Sequence, residues 1–131
     1  MPRVTVDLTI GVAGGQSFGA SSGVIEAEAI GKVVKELIAD DSQVAVEIQP
    51  SASAQIHALL LSSTYYGPEL TYVFSDGSTD AATPLVLDGP QLFSAGNLAA
   101  VGVDPNQVKF TMAASGEDAT VTIIVARAVT P

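Results

Sequence analysis

The first residues of this chain that could do chemistry form a short motif around a serine. Residues 15–19 read Gly-Gln-Ser-Phe-Gly and match the G-x-S-x-G pattern that presents a nucleophilic serine in α/β-hydrolases. Such a site needs a helix directly after the serine, together with acid and histidine partners. Residues 20–23 are poor helix formers, and His57 is the only histidine. The motif therefore predicts a glycine-rich loop, and a hydrolase acting through Ser17 is our third hypothesis.

A second group of oxygen-bearing side chains lies in residues 76–80. Asp76, Ser78 and Asp80 alternate along the chain, as ligands do in calcium loops. Ala81 and Leu87 stand where an EF-hand loop requires its glycine and its glutamate, so that motif is absent. The same residue types are those of an ordinary hairpin turn. We treat the three residues as weak candidates for a calcium site of another type and predict no cofactor.

Tyr65 and Tyr66 are candidate recognition residues of another kind. Sugar-binding modules present flat aromatic rings, but this chain has three tyrosines and no tryptophan. A calcium- or carbohydrate-binding β-sandwich module is the second hypothesis. No group of residues supplies a nucleophile, a base and an oxyanion donor together, so we predict that the chain is not an enzyme.

The amino-acid composition excludes several classes of binding partner and site. Fourteen acidic and five basic residues give a net charge of −9, which opposes binding to nucleic-acid phosphates. The absence of cysteine excludes disulfides and thiolate zinc sites. No stretch approaches the ~20 apolar residues of a membrane helix, and the first ten residues lack the pattern of a signal peptide. With 47% hydrophobic and 15% charged residues, either a partner covers some surface or a thick β-core lies beneath a Thr/Ser-rich outside.

Alternation of apolar and polar residues is the strongest structural pattern in the chain. It predicts half-buried strands, which are residues 3–12, 43–49, 69–75, 107–112 and 119–126. Residues 54–61 are apolar on both faces and predict a central strand, whereas residues 84–87 begin with proline and predict an edge strand. Turn residues between the strands indicate one mainly β domain over residues 1–131, an antiparallel β-sandwich of jelly-roll or immunoglobulin-like type.

Two segments depart from this pattern. Residues 11–23 are rich in glycine and serine and predict a long flexible loop, or an arm that becomes ordered against a neighbour. Residues 25–39 place Ile30, Val33, Val34 and Leu37 at helical spacing, which favours a short helix. The alternative is two strands, residues 24–30 and 33–38, joined at Gly31, and the sequence does not decide between them.

Several segments resemble the small β-rich proteins that decorate or cement the capsids of tailed bacteriophages. These are VAVEIQP, AQIHALLLSS, ELTYVFSDG and QVKFTMAASGEDATVTIIVAR, all within residues 43–127. The resemblance implies a non-enzymatic structural protein of the virion, made in the host cytoplasm. It implies attachment to a capsid lattice or assembly as a homo-oligomer, with no nucleic-acid or membrane partner. For the interface we predict the apolar and aromatic residues that no strand pattern explains, which are Phe18, Tyr65, Tyr66, Phe93 and Leu98.

Overall fold

A computed structural model describes residues 3–11, 13–26, 29–48 and 56–127 as an antiparallel β-sandwich with one short helix. The elements in chain order are β1 Arg3–Gly11, β2 Ser17–Glu26, β3 Ala29–Leu37, β4 Val44–Glu47, β5 Ile56–Ser63, β6 Leu70–Ser75, β7 Leu85–Val86, β8 Gln91–Phe93, α1 Ala95–Ala99, β9 Gln107–Met112 and β10 Ala119–Arg127. The predicted fold class is confirmed.

Two four-stranded sheets make the sandwich. The first, here called the back sheet, has the strand order β3-β10-β5-β8, and the second, the front sheet, has the order β4-β9-β6-β7. All strand pairs within them are antiparallel. The strand β7 lies at a sheet edge, next to Pro84, as the proline predicts. Strands distant in sequence therefore lie side by side, and the last strand, β10, is central to the back sheet.

The core lies between the two sheets and is formed by the apolar side chains at every second position of the strands. In β10 the buried side chains of Val121, Ile123 and Val125 alternate with partly exposed neighbours. Phe110 and Met112 are buried in the same way in β9 of the front sheet. One face of each strand is thus removed from water, and this burial stabilises the fold by roughly 25 cal/mol per Å² of apolar surface.

An aromatic cluster ties the two sheets together. The ring of Phe74 in β6 meets that of Phe93 in β8 edge-on at 5.2 Å, and that of Tyr72 at 5.7 Å. The Tyr72 hydroxyl donates a hydrogen bond to the Gln91 side chain across the sandwich. Burial raises the pKa of Tyr72, with the nearby Asp88 carboxylate adding to the effect. The hydroxyl therefore stays protonated and holds its acceptor at neutral pH.

The predicted helix within residues 25–39 is wrong, and the segment contributes to two strands as in the alternative, but with other bounds, since β2 ends at Glu26 and β3 spans Ala29–Leu37. The break lies before Ala29 and not at Gly31, because β3 runs through Gly31 without interruption. Every residue of β3 has a partner in β10, from Ala29 opposite Arg127 to Leu37 opposite Ala119. This ladder outweighs the local helical preference.

The flexible loop predicted for residues 11–23 is also corrected. Residues 17–23 belong to β2, which pairs with β1 in an antiparallel hairpin whose tip includes residues 13–16. The backbone at Gly14 has a φ of 71°, a conformation that favours glycine in tight turns. The polar composition of the segment therefore marks a strand that contributes little to the core.

Candidate interaction surface

The β1–β2 hairpin, here called the arm, is a separate two-stranded sheet. Within the described residues, neither of its strands pairs with the back sheet or the front sheet. A register shift between Thr5 and Asp7 gives β2 one extra residue, which forms a bulge. Only two residues separate β2 from β3, so the arm adjoins the edge strand of the back sheet.

The outer face of the back sheet carries several large apolar side chains among polar ones such as Lys32, Glu36 and Thr122. The cross-strand partners Ile124, Leu60 and Leu92 form one row across it, and Ile30, Ala126 and Ala58 form the next. We call the larger side chains on this face the outer patch, which comprises Ile30, Val34, Leu60, Leu92 and Ile124. Ile30 is 51% exposed and Val34 is 53% exposed. Such large apolar side chains on one continuous surface are typical of a contact site.

The outer face of the front sheet is mostly polar by contrast. Its cross-strand partners include Thr71 with Thr111, and Gln107 with Glu47. Lys109 lies on the same face and forms an ion pair with Asp80 at 2.9 Å. Val73 and Val86 are its apolar members. The two outer faces therefore differ in the number of large apolar side chains that they present, which is greater on the back sheet.

The arm covers the outer patch only in part. Val6 and Leu92 pack against Ala58 and Ala126, which are 8% and 3% exposed. Leu8, two residues further along β1, remains 52% exposed. A cavity of about 280 Å³ remains between the arm and the sheet, lined mainly by apolar residues. The alternating pattern of β1 thus produces an apolar face that this chain alone does not fully bury.

Tyr65 and Tyr66 lie in the turn between β5 and β6 and are half-buried against the core. The Tyr65 hydroxyl donates to Glu69 at 2.6 Å, which raises the pKa of Tyr65 and lowers that of Glu69. The Tyr66 hydroxyl accepts a hydrogen bond from the Ser63 backbone N–H at 3.0 Å. A side chain at Gly67 would place its Cβ 2.8 Å from both atoms of the Tyr65–Glu69 bond. These contacts organise the turn and leave part of each ring accessible.

Leu98, Phe93 and Phe18 occupy three different environments. Leu98 in α1 is fully buried in the core, so its predicted place in an interface is corrected to a packing position. Phe93 is half-buried in the aromatic cluster. Phe18 lies in β2 opposite Ile10, and its side chain is outside the described part of the structure. The outer patch was missed because its residues looked like ordinary core positions in strands.

The candidate calcium loop is folded as a side-chain-stabilised turn. Asp76 Oδ1 accepts hydrogen bonds from the backbone N–H groups of Ser78 at 2.8 Å and Thr79 at 2.6 Å. Gly77 has a φ of 95°, and Asp80 is paired with Lys109. Among the described residues, no group of three acidic or histidine side chains is placed to hold a metal ion. The Asp76 carboxylate stabilises the turn and the Asp80 carboxylate pairs with Lys109, so the geometry gives the calcium hypothesis no support.

This turn should make the protein less stable in acid. Backbone N–H donors lower the pKa of Asp76, and the hydrogen bond from Lys109 lowers that of Asp80. A lowered folded-state pKa adds stability above the unfolded pKa of ~3.9 that is lost as the pH falls through the folded value. We expect the urea midpoint to fall between about pH 5 and about pH 2.

The alanine variant Asp76→Ala should show a weaker dependence of the urea midpoint on pH over the same range. Asp118→Ala, which removes an exposed carboxylate from the β9–β10 turn, is the matched control. Equal pH dependence in wild type and Asp76→Ala would contradict the role given to the Asp76 carboxylate.

Ser17 and His57 are not arranged as a hydrolase requires. Ser17 begins β2, directly opposite Gly11, so a strand follows the serine where a nucleophile elbow needs a helix. His57 is half-buried in β5 and lines a cavity of about 270 Å³ with Val6, Leu92 and others, and Ser17 is not among them. The cavity wall is largely apolar, as expected at a packing boundary.

No family model matches the chain, and no curated protein or solved structure shows significant similarity to it. Within the described residues, no helix has the length and hydrophobicity that crossing a membrane requires. The functional argument therefore depends on the chemistry of the surfaces described above.

Proposed function

We propose that this chain is a non-enzymatic structural protein that self-associates or attaches to a large assembly, as a decoration or minor protein of a bacteriophage capsid. The observation that carries the proposal is the contrast between the two outer faces. Both outer faces carry threonines and charges, but the back sheet also presents the outer patch under an incompletely packed arm, whereas the front sheet adds only Val73 and Val86. A surface of this kind is stabilised by contact with another protein surface.

The arm supports the same proposal. A two-stranded hairpin is marginally stable alone in water and gains stability when its apolar face packs on a further layer. Leu8 projects from the arm and is half exposed, beside the equally exposed Ile30. A neighbouring subunit or a capsid surface that covered both would complete the packing that the isolated chain leaves open.

Light scattering coupled to size-exclusion chromatography tests the proposal on the whole chain. We expect a mass above 13.3 kDa, or co-sedimentation with purified phage capsids. Leu8→Asp should reduce the assembled fraction roughly tenfold or more, because it places a charge in the contact. Val86→Asp is the control, since Val86 is 41% exposed and lies opposite Thr71 on the outer face of the front sheet. A wild-type chain that stays monomeric and leaves capsids unbound would overturn the proposal.

A further inference from the structure

The edge strand β3 has an open side. It is nine residues long and pairs only with β10, and no described residue pairs with its other edge. Most exposed sheet edges in proteins are short or covered, because an open edge invites pairing with another strand. The length and exposure of β3 therefore make it the strongest candidate for intermolecular pairing.

The hydrogen bonds around β10 indicate which backbone groups of β3 are open. The Thr120 carbonyl accepts a hydrogen bond from the Thr64 backbone N–H at 3.1 Å, and the Thr120 N–H donates to Thr64 Oγ1 at 2.9 Å, beyond the end of β5. Because backbone groups alternate in direction, Val121 and Ile123 point the other way, toward their partners in β3, Lys35 and Val33. The even-numbered residues of β3 therefore direct their N–H and C=O groups to the open edge.

This open edge ends at Ile38. The Ile38 N–H donates to Asp41 Oδ2 at 2.9 Å within the same chain, so it is already satisfied. The available backbone therefore runs from Ile30 to Glu36, which is long enough for an antiparallel ladder.

The side chains on the outer face of β3 form a self-complementary series. Reading every second residue, positions 30, 32, 34, 36 and 38 are Ile, Lys, Val, Glu and Ile. When an identical strand runs antiparallel with Val34 opposite Val34, each Lys32 faces Glu36 of the other copy. The same register brings each Ile30 side chain level with Ile38, whose backbone groups are already bonded to Asp41, so the ladder bonds span Lys32 to Glu36. On the outer face, each lysine then meets a glutamate and each apolar residue meets another apolar residue, whereas on the inner face Val33 lies opposite Lys35.

Neighbouring registers lack this match. In an antiparallel pair, two opposed residues either both direct their N–H and C=O groups toward the other strand or both direct them away from it. The two-fold axis must therefore lie between two copies of the same residue. Centring the pair on Lys32 sets two lysines face to face, and centring it on Lys35 does the same with that residue. Centring it on Val33 places Ile30 against Glu36. Among these registers, only the one centred on Val34 avoids every mismatch on the outer face.

We propose that β3 pairs with β3 of a second copy of this chain, in antiparallel register about Val34, and joins two back sheets into one continuous sheet. This inference rests on the self-association proposed above and names its partner and its contact. It also places the two outer patches on the same face of the joined sheet, on either side of a seam that contains the Lys32–Glu36 pairs.

Charge exchange tests the register. Lys32→Glu places like charges opposite each other twice in the symmetric pair, and the dimer dissociation constant should rise roughly tenfold. Glu36→Lys should have the same effect. The double variant Lys32→Glu with Glu36→Lys restores opposite charges across the pair and should return the constant to near the wild-type value. Analytical ultracentrifugation measures all three against wild type.

Introduced cysteines test the geometry independently, because the natural chain contains no thiol. Opposed residues in a hydrogen-bonded pair have Cα atoms about 5.5 Å apart, within the range that a disulfide spans. Val34→Cys should therefore form a covalent dimer under mild oxidation. Ile30→Cys alone should not, since the two introduced thiols would lie roughly 27 Å apart along the ladder. Mixing Ile30→Cys with Ile38→Cys should restore cross-linking.

The outcomes separate this inference from the proposed function. An oligomeric chain in which the double charge exchange gives no rescue and Val34→Cys does not cross-link would overturn the β3 pairing alone. A monomeric chain that does not bind capsids would overturn the proposed function and the pairing with it.

Discussion

Replacing Phe74 by alanine should destabilise the protein by about 3–5 kcal/mol, the cost typical of deleting a buried phenylalanine ring. Phe74 is 1% exposed and contacts two aromatic rings edge-on, one from its own strand and one from the opposite sheet. Removing it leaves a cavity at the point where the two sheets are joined. Because small domains have a total stability of about 5–15 kcal/mol, a large part of the folded population could be lost.

Urea unfolding followed by circular dichroism measures this loss. Phe93→Ala provides a graded comparison, since Phe93 belongs to the same cluster but is half-buried. We expect it to cost about 1–3 kcal/mol. If Phe93→Ala instead left stability unchanged and reduced association, its main role would be the interface contact predicted from sequence. A Phe74→Ala variant as stable as wild type would contradict the placement of the core.

The strands were predictable wherever one face is buried by the other sheet. The β9 strand was predicted with its observed bounds, and β10 to within one residue, because buried and partly buried residues alternate throughout β9 and in β10 as far as Val125. When every second side chain of a strand is buried, apolar residues occur at every second position of its sequence. The β1 strand was also predicted, and among its described apolar side chains Val6 is partly buried and Leu8 is 52% exposed.

The segment containing β3 was ambiguous for a geometric reason. Residues four apart lie on one face in a helix, and they also lie on one face in a strand because four is even. Val33 and Leu37 face the core, whereas Ile30 and Val34 lie on the outer face, so both pairs satisfy either pattern. Only the pairing with β10, some ninety residues away in sequence, selects the strand. A local pattern could not supply that information.

The elements β8 and α1 were not predictable from periodicity. They contain three and five residues, too few to show a repeat of either period. Without an element to explain it, Leu98 looked like a surface residue available to a partner, although it is fully buried. The outer patch was obscured in the opposite way, because Leu60 and Ile124 belong to strands whose apolar residues are all expected to be core.

The adjacent residues Leu59 and Leu60 provide the sharpest test of which face is core and which is contact. Leu59 is fully buried between the sheets, whereas Leu60 lies on the outer patch beside the arm and is half-buried. Leu59→Ala should cost about 2–5 kcal/mol of stability. Leu60→Ala deletes the same atoms from the same strand, yet in the dissociated chain it should cost no more than about 1.5 kcal/mol, since that side chain is only partly buried.

Association should reverse the ranking of the two variants. If the outer patch is a contact surface, Leu60→Ala should weaken assembly by roughly tenfold, measured by the concentration dependence of the scattered mass. Leu59→Ala should leave the assembly constant of its folded fraction close to wild type, because Leu59 does not reach the outer face. Equal losses of stability in the two variants, with no change in assembly, would mean that the arm already buries the outer patch within one chain. The space between the arm and the back sheet would then be a second hydrophobic core, and the functional surface would have to lie elsewhere.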